Sequence, residues 1–517
     1  MEIYKVYELG KRIGKILKFE FNVSVISNFN IMKSVKITLS MAMFFILCTA
    51  CGTIKKDQLP DGSQGYIQVS SENSSYFAFS DGSPYIPNGI NMINPSGKYR
   101  NNPDSALYEI EGWMKNLSDN GANYIRVWLS QSFWDIEDTK AGEYSEEKIK
   151  RIDCFIEMAR ENKLRIKMTL EHFRSLTVEE NNQPWATKSV YHTSNGGPLD
   201  SIRQYLTSEE GKELFLRKVN FYRDRYGSDT LFFGWELWNE MNAMKGPEDD
   251  VFFEWNELML KEVKKSFPEN LVMQSLGSFD NDRVRPVYKK MMLLPGNEVA
   301  QVHRYLDLGA KMEVCQMPMD IICSSAVEEL ITYNTGKPVI LAETGAVEPG
   351  HSGPSKFYPV DTAGILLHDI LFAPFFSGSA GAGMSWHWES YVDKNNLWFH
   401  FGRFNEVISG IDPVSENFIT SRSETDDLRI YTLKGNKTVL LWLRDKNNTW
   451  QTELRDGIAA GLISALSIDL KAAGIDMSAQ SVEIYDPWAD RWSEVNIDGG
   501  TVVLPDFKRS LVLRITP

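Results

Sequence analysis

The chain has 517 residues, enough for one barrel-sized domain and an accessory module, which excludes a peptide hormone or a lone binding module. With 43% hydrophobic and 24% charged residues, 36 Gly and 21 Pro, the composition is that of a globular protein, neither disordered nor collagen-like. A formal net charge of −14, with no basic stripe or zinc-finger spacing, argues against nucleic acid as a partner.

Residues 1–51 form a leader. From Met32, the expected true start, residues 32–53 read MKSVKITLSMAMFFILCTACGT: two lysines, then an apolar run from Ile37 to Ala50, then small residues ending at Cys51. The run is too short to span a bilayer comfortably and has the layout of a secretory signal. An uncut membrane anchor is the alternative. Thr49, Ala50, Cys51 and Gly52 resemble a bacterial lipoprotein cleavage box, although Cys48 stands where leucine is usual. The resemblance implies that Cys51 is acylated and becomes the first mature residue. Several acyl chains, at about 0.8 kcal/mol per buried methylene, would then hold the protein on a membrane. The expected location is the cell envelope, at the outer membrane of a Gram-negative bacterium. Residues 52–65 read as a flexible tether. The remaining Cys154, Cys315 and Cys323 are too few for a disulfide framework or a zinc site. They are expected to be free thiols, with a Cys315–Cys323 bridge as the alternative.

Residues 66–419 alternate strand and helix. A turn at Ser80–Pro84 joins two strands of a hairpin, Tyr76–Phe79 and Tyr85–Ile86. Apolar runs then predict strands near 88–92, 124–129, 165–171, 232–239, 271–276, 299–305, 339–343 and 383–388. Between them, 145–162, 209–226, 251–267, 325–335 and 361–375 carry helical stripes, as in Ile149, Ile152, Phe155, Ile156 and Ala159. Eight such units over roughly 300 residues predict a (β/α)8 TIM barrel. A doubly wound dinucleotide-binding sheet would need a Gly-rich loop after its first strand, and none is there. From 420 to 517 the strands become short, alternating and separated by Gly, Asp and Asn, which predicts a small C-terminal β-sandwich. It either covers a barrel face or binds glycan.

In such a barrel, chemistry gathers where strands end. The fourth strand, LFFGWELWNEMN (231–242), closes with Asn239 and Glu240, and the seventh, KPVILAETG (337–345), with Glu343. In combination these two motifs resemble glycoside hydrolases of clan A, close to the family 5 type of cellulases and mannanases. The resemblance covers about residues 85–411. It implies that Glu240 is the acid/base and Glu343 the nucleophile of a double displacement. It also implies that Arg126, in YIRVW, keeps the nucleophile ionised and that His172, Asn239, His303 and Tyr305 line the sugar site, with Trp386 as stacking floor. Trp128 and Trp134 extend the cleft or belong to the core.

The physical requirement is two carboxyls about 5–5.5 Å apart, one protonated and one ionised. Burial and the charge of Glu343 should raise the pKa of Glu240 for that role. Seven histidines show no metal-ligand spacing, and Gly-x-Ser-x-Gly is missing, so neither a metal nor a serine nucleophile is expected, and no cofactor. The sequence therefore predicts a lipid-anchored retaining glycoside hydrolase acting on a β-linked polysaccharide or oligosaccharide. A non-catalytic glycan-binding surface lipoprotein and a transglycosylase using the same site are the alternatives.

Overall fold

The structure, a computed structural model, describes residues 65–516 apart from 100, 177–188, 245, 471–480 and 496. The leader, Cys51 and the tether up to residue 64 lie outside the described residues.

A three-stranded antiparallel sheet comes first: β1 (Ile67–Val69), β2 (Phe77–Phe79) and β3 (Pro84–Tyr85). Its Ile67, Phe77, Phe79 and Tyr85 pack against Tyr124, Phe233, Leu271, Val299 and Ile340. These lie near the starts of the parallel strands, so the small sheet forms an apolar floor.

Above it, β4 (Gly89–Asn91), β5 (Tyr124–Trp128), β6 (Arg165–Glu171), β7 (Phe232–Trp238) and β8 (Leu271–Met273) run parallel in sequence order. β9 (Ala300–Asp307) and β10 (Val339–Val347) form a second parallel pair. Every residue of these strands is buried, as expected of strands covered by helices. The eighth predicted strand is the exception. Within 383–388 only Ser385 bridges, to Ile90 on one side and Thr344 on the other. Backbone bonds from Met384 to Leu341 (3.0 Å) and from Asn91 to Ser385 (3.1 Å) nevertheless stitch β10 to β4. The ladder stops there because the chain enters a wide helical turn at Trp388–Asp393. Between β8 and β9 no ladder forms among the described residues; Glu298 N–H to Val272 (3.0 Å) and Phe279 N–H to His303 (2.7 Å) cross that seam.

The covering helices are α1 (Pro103–Asp119), α2 (Glu146–Glu161), α3 (Ile202–Thr207), α4 (Glu209–Tyr226), α5 (Asp249–Ser266), α6 (Arg285–Leu293), α7 (Met319–Ile331), α8 (Ile365–Phe376) and α9 (Phe399–Ile408). α2 buries Ile149, Ile152, Phe155, Ile156 and Ala159, the stripe read in the sequence. α8 differs, since all 12 of its residues are buried. A helix apolar on every side must be covered on both faces.

The second cover is the C-terminal region. β11 (Ile419–Glu424), β12 (Leu428–Lys434), β13 (Val439–Asp445), β15 (Ser481–Asp486), β16 (Arg491–Glu494) and β19 (Ser510–Thr516) form one antiparallel sheet, ordered β11-β12-β13-β19-β15-β16. β14 (Ser467–Asp469), β18 (Thr501–Val503) and β17 (Ile497–Asp498) form another. Ile430, Leu441, Val482 and Leu513 of the larger sheet share one core with Ile468 and Val502 of the smaller. Its attachment to the helices is ionic as well as apolar. Arg429 pairs with Asp320 of α7 (2.5 and 2.8 Å) and Arg444 with Asp369 of α8 (2.8 and 3.2 Å), all buried. Cys315 and Cys323 are buried free thiols, and Cys154 is half-buried.

Candidate active site

The polar ends of the parallel strands open into a cleft of about 580 Å³, bordered by Arg174, Glu240, Tyr305, Glu343, Trp386 and His387 among others. Glu240 follows β7 in a left-handed conformation, φ 51° and ψ 51°. A non-glycine residue there costs about 1–2 kcal/mol, and such strain is concentrated at functional sites. Glu343 lies within β10 just past a register shift: Leu341 pairs with Val302 but Glu343 with His303, so Ala342 is an extra residue. A bulge of this kind re-aims the side chain that follows.

The two carboxylates thereby converge. One oxygen from each lies within 4.8 Å of the other and of a ring nitrogen of His303. His303 Nδ1 is 3.0 Å from Glu240 Oε1 and 3.6 Å from Glu343 Oε2. Tyr305 donates its hydroxyl to Glu343 Oε1 at 2.6 Å. Burial, and then the charge of Glu343, push the Tyr305 phenol well above its ordinary range, so it stays a donor.

Arg126 lies beneath, fully buried, and ties the strands together. Its Nη1 donates to Glu343 Oε2 (2.7 Å) and its Nη2 to Asn239 Oδ1 (2.7 Å). Nε and Nη2 both reach Glu236 Oε2 (2.9 and 2.7 Å). Burial opposes its charge, but Glu236 and Glu343 more than offset this and keep the guanidinium protonated. Glu236 is balanced likewise: burial raises its pKa, while Arg126 and Lys167 pull it well below the usual carboxylate range. Lys167 Nζ lies 3.2 Å from Glu236 Oε1, and burial lowers its ammonium to about 7. Each charge in this layer has a partner, so removing one would strand another in the interior.

Asn239 is buried with its Oδ1 held by Arg126, and its amide nitrogen has no hydrogen-bond partner among the described residues. Trp386 borders the cleft and leans on the buried Trp128, ring centroids 5.0 Å apart. His172 is fully buried behind Trp128, stacked at 5.1 Å, with Nδ1 2.7 Å from Ser130 Oγ. It supports the wall without bordering the cleft. Burial lowers its pKa to about 3, so it is neutral. Trp134 is core, its Nε1 donating to Ile93 O at 2.8 Å.

Glu240 departs from the sequence expectation. Burial does raise its pKa, but the His303 hydrogen bond and the charge of Arg174 outweigh burial and hold the carboxyl down at about 2. Arg174 donates an Nη2 hydrogen bond to Glu240 Oε2. Sequence reasoning missed this arginine because it lies three residues beyond β6, outside any strand pattern. Glu236 was also missed, although a carboxylate inside the apolar run FFGWELW is the natural complement of a buried arginine.

Among the described residues, two groups of side chains have the spacing to hold a cation, Glu240 with His303 and Glu343, and Asp280 with Asp307 and His351. In the first, guanidinium groups already neutralise both carboxylates, from Arg126 and Arg174.

No family model matches the sequence, and no curated protein does. Solved structures share the fold. A glycoside hydrolase aligns at a TM-score of 0.59 over 89% of this chain and 98% of its own, at 13% identity. A glycoside hydrolase of family 5 from Bacteroides vulgatus ATCC 8482 aligns at 0.56 over 88% and 94%, at 12% identity. At these identities the likeness is one of fold.

Proposed function

We propose that the chain is a retaining glycoside hydrolase acting on a β-linked polysaccharide or oligosaccharide. The observation that carries this reading is the pair of carboxyls within 4.8 Å at the edge of a cleft. Retention uses a separation of about 5–5.5 Å, whereas inversion needs about 6.5–9.5 Å to admit a water. In this reading Glu343, oriented by Arg126 and Tyr305, attacks the anomeric carbon and forms a glycosyl ester. Glu240 gives its proton to the departing oxygen and then takes one from the water that cleaves the ester. The unpartnered amide of Asn239 supports a contact with the sugar 2-hydroxyl, and Trp386 a stacking floor.

The eight strand segments are read as one closed (β/α)8 barrel, residues 66–419, with the β-sandwich of residues 420–517 covering α7 and α8. Acylation of Cys51 would anchor the whole at a membrane of the cell envelope, and metabolic labelling with a fatty acid, compared with Cys51→Ser, tests that placement. A non-catalytic glycan-binding protein is the second reading, favoured by the ionised, Arg174-paired state of Glu240. A transglycosylase would share every residue and differ in whether a sugar or water takes the glycosyl group.

The deciding experiment is turnover of β-linked glycans with the anomer of the first product read by NMR, repeated with Glu343→Gln. Retained configuration, lost in the variant, supports the reading. Inverted product, or no turnover on any β-glycan, overturns it.

A further inference from the structure

We propose a second, serine-based catalytic site on the rim of the same cleft, formed by Ser278, His351 and Asp307, that hydrolyses an acyl ester carried by a bound sugar. Ser278 Oγ is 3.0 Å from His351 Nε2, and His351 Nδ1 is 3.0 Å from Asp307 Oδ2. A nucleophile within reach of a base, and a base oriented by a third group, is the geometry of an activated serine. Asp307 is buried, and its Oδ1 accepts backbone N–H groups from Gly309 (2.7 Å) and Gly350 (3.0 Å). Those bonds aim Oδ2 at the imidazole. Because a carboxylate accepts, Nδ1 carries the proton and Nε2 presents its lone pair to Ser278, the tautomer a general base needs.

The surroundings supply the other parts. Asn242 borders the same cleft, and its Oδ1 accepts the Gly277 N–H at 2.7 Å. That bond fixes the amide and leaves its nitrogen as a donor toward a carbonyl oxygen in the cleft, the role of an oxyanion contact. The His351 ring stands edge-to-face with Tyr305, centroids 4.9 Å apart, and Tyr305 donates to Glu343. The two sites therefore share a wall. The missing Gly-x-Ser-x-Gly motif does not bear on this, because triads on unrelated folds agree in geometry and not in sequence.

The step balances without a cofactor. Ser278 Oγ attacks the ester carbonyl as His351 Nε2 takes its proton; the bond to the sugar oxygen breaks and that oxygen leaves with the proton. Water, deprotonated by the same nitrogen, then attacks the acyl-serine, releasing a carboxylic acid and restoring Ser278. That the alcohol is a sugar rests on the glycoside hydrolase reading; the triad itself does not.

The test uses the full chain with 4-nitrophenyl acetate and with an O-acetylated β-oligosaccharide, together with an active-site-directed fluorophosphonate. Expected are ester turnover that falls on the order of 10³-fold in Ser278→Ala and in His351→Ala, and a covalent adduct mapped to Ser278 by mass spectrometry. The adduct, read on the unsubstituted protein, decides the matter even if a variant misfolds. Ester turnover equal in Ser278→Ala, or no adduct at Ser278, overturns the proposal. Loss of turnover on chelation also overturns it, in favour of a cation held by Asp280, Asp307 and His351. The aryl ester contains no glycosidic bond, so failure of the glycosidase reading leaves this measurement intact.

Discussion

Arg174 binds the carboxylate of Glu240, and His303 holds the other oxygen of that carboxylate at 3.0 Å. A general acid must carry a proton, and these two contacts favour its loss. In the proposed reaction, proton donation by Glu240 therefore requires that it give up Arg174. Replacing Arg174 by Gln should raise the Glu240 pKa and move the alkaline limb of the kcat/KM profile to higher pH. A pH–rate profile of Arg174→Gln that superimposes on the parent would refute the coupling.

The same contacts contribute to stability in a defined pH window. The Glu240 pKa falls from 4.5 unfolded to about 2 folded. A depressed carboxyl stabilises the fold above its unfolded value and loses that contribution as pH drops through the folded one. Stability should thus decline between about 4.5 and about 2, and the decline should be shallower in Arg174→Gln. Urea midpoints measured across that range give the comparison.

Glu240→Ala separates the two halves of the proposed reaction. Removing a positioned acid typically costs about 10²–10⁴-fold, so glycosides with poor leaving groups should suffer by that factor. Aryl glycosides whose leaving group needs no proton should suffer far less in their first step. Azide, a nucleophile that requires no general base, should restore turnover and yield a glycosyl azide of retained configuration.

Arg126→Met probes the buried charge layer. It leaves Glu236 and Glu343 without the cation they share, and removing one partner of a buried pair costs about 3–5 kcal/mol. Chemical denaturation should show a loss of that size, accompanied by loss of glycosidase turnover. A variant as stable as the parent would mean that Lys167 alone suffices for Glu236.

At the attachment of the sandwich, Arg429→Ala strands the buried Asp320 and should destabilise by a similar amount. Asp320→Asn in the same chain should recover part of the loss, because a neutral amide is less costly to bury than an unpaired carboxylate. A double-mutant cycle from thermal melts measures the coupling.

Much of this architecture is legible in the sequence because buried parallel strands are predominantly apolar runs, as in YIRVW and VILAETGAV, and the few charges within them stand out. The end of β7 just before Glu240 follows from the same runs, whereas β10 continues four residues past Glu343 to Val347. Other features leave no such trace. β11, ITSRSE, is exposed along its whole length and has no alternation to detect. Residues 383–388 are apolar enough for a strand but make single bridges at Ser385, a matter of where the chain turns next. The state of Glu240 depends on Arg174, and the partners of Ser278 lie 29 and 73 residues away in sequence. Only the folded chain brings them together.

The burial of α8 along its whole length bears on how the molecule can be dissected. A fragment ending before Ile419 would strip Phe372 and Phe376 of the Trp442 ring that covers them and leave Asp320 and Asp369 without their arginines. Such a truncated product would be adhesive and prone to precipitate, so recombinant preparations should keep both halves on one polypeptide.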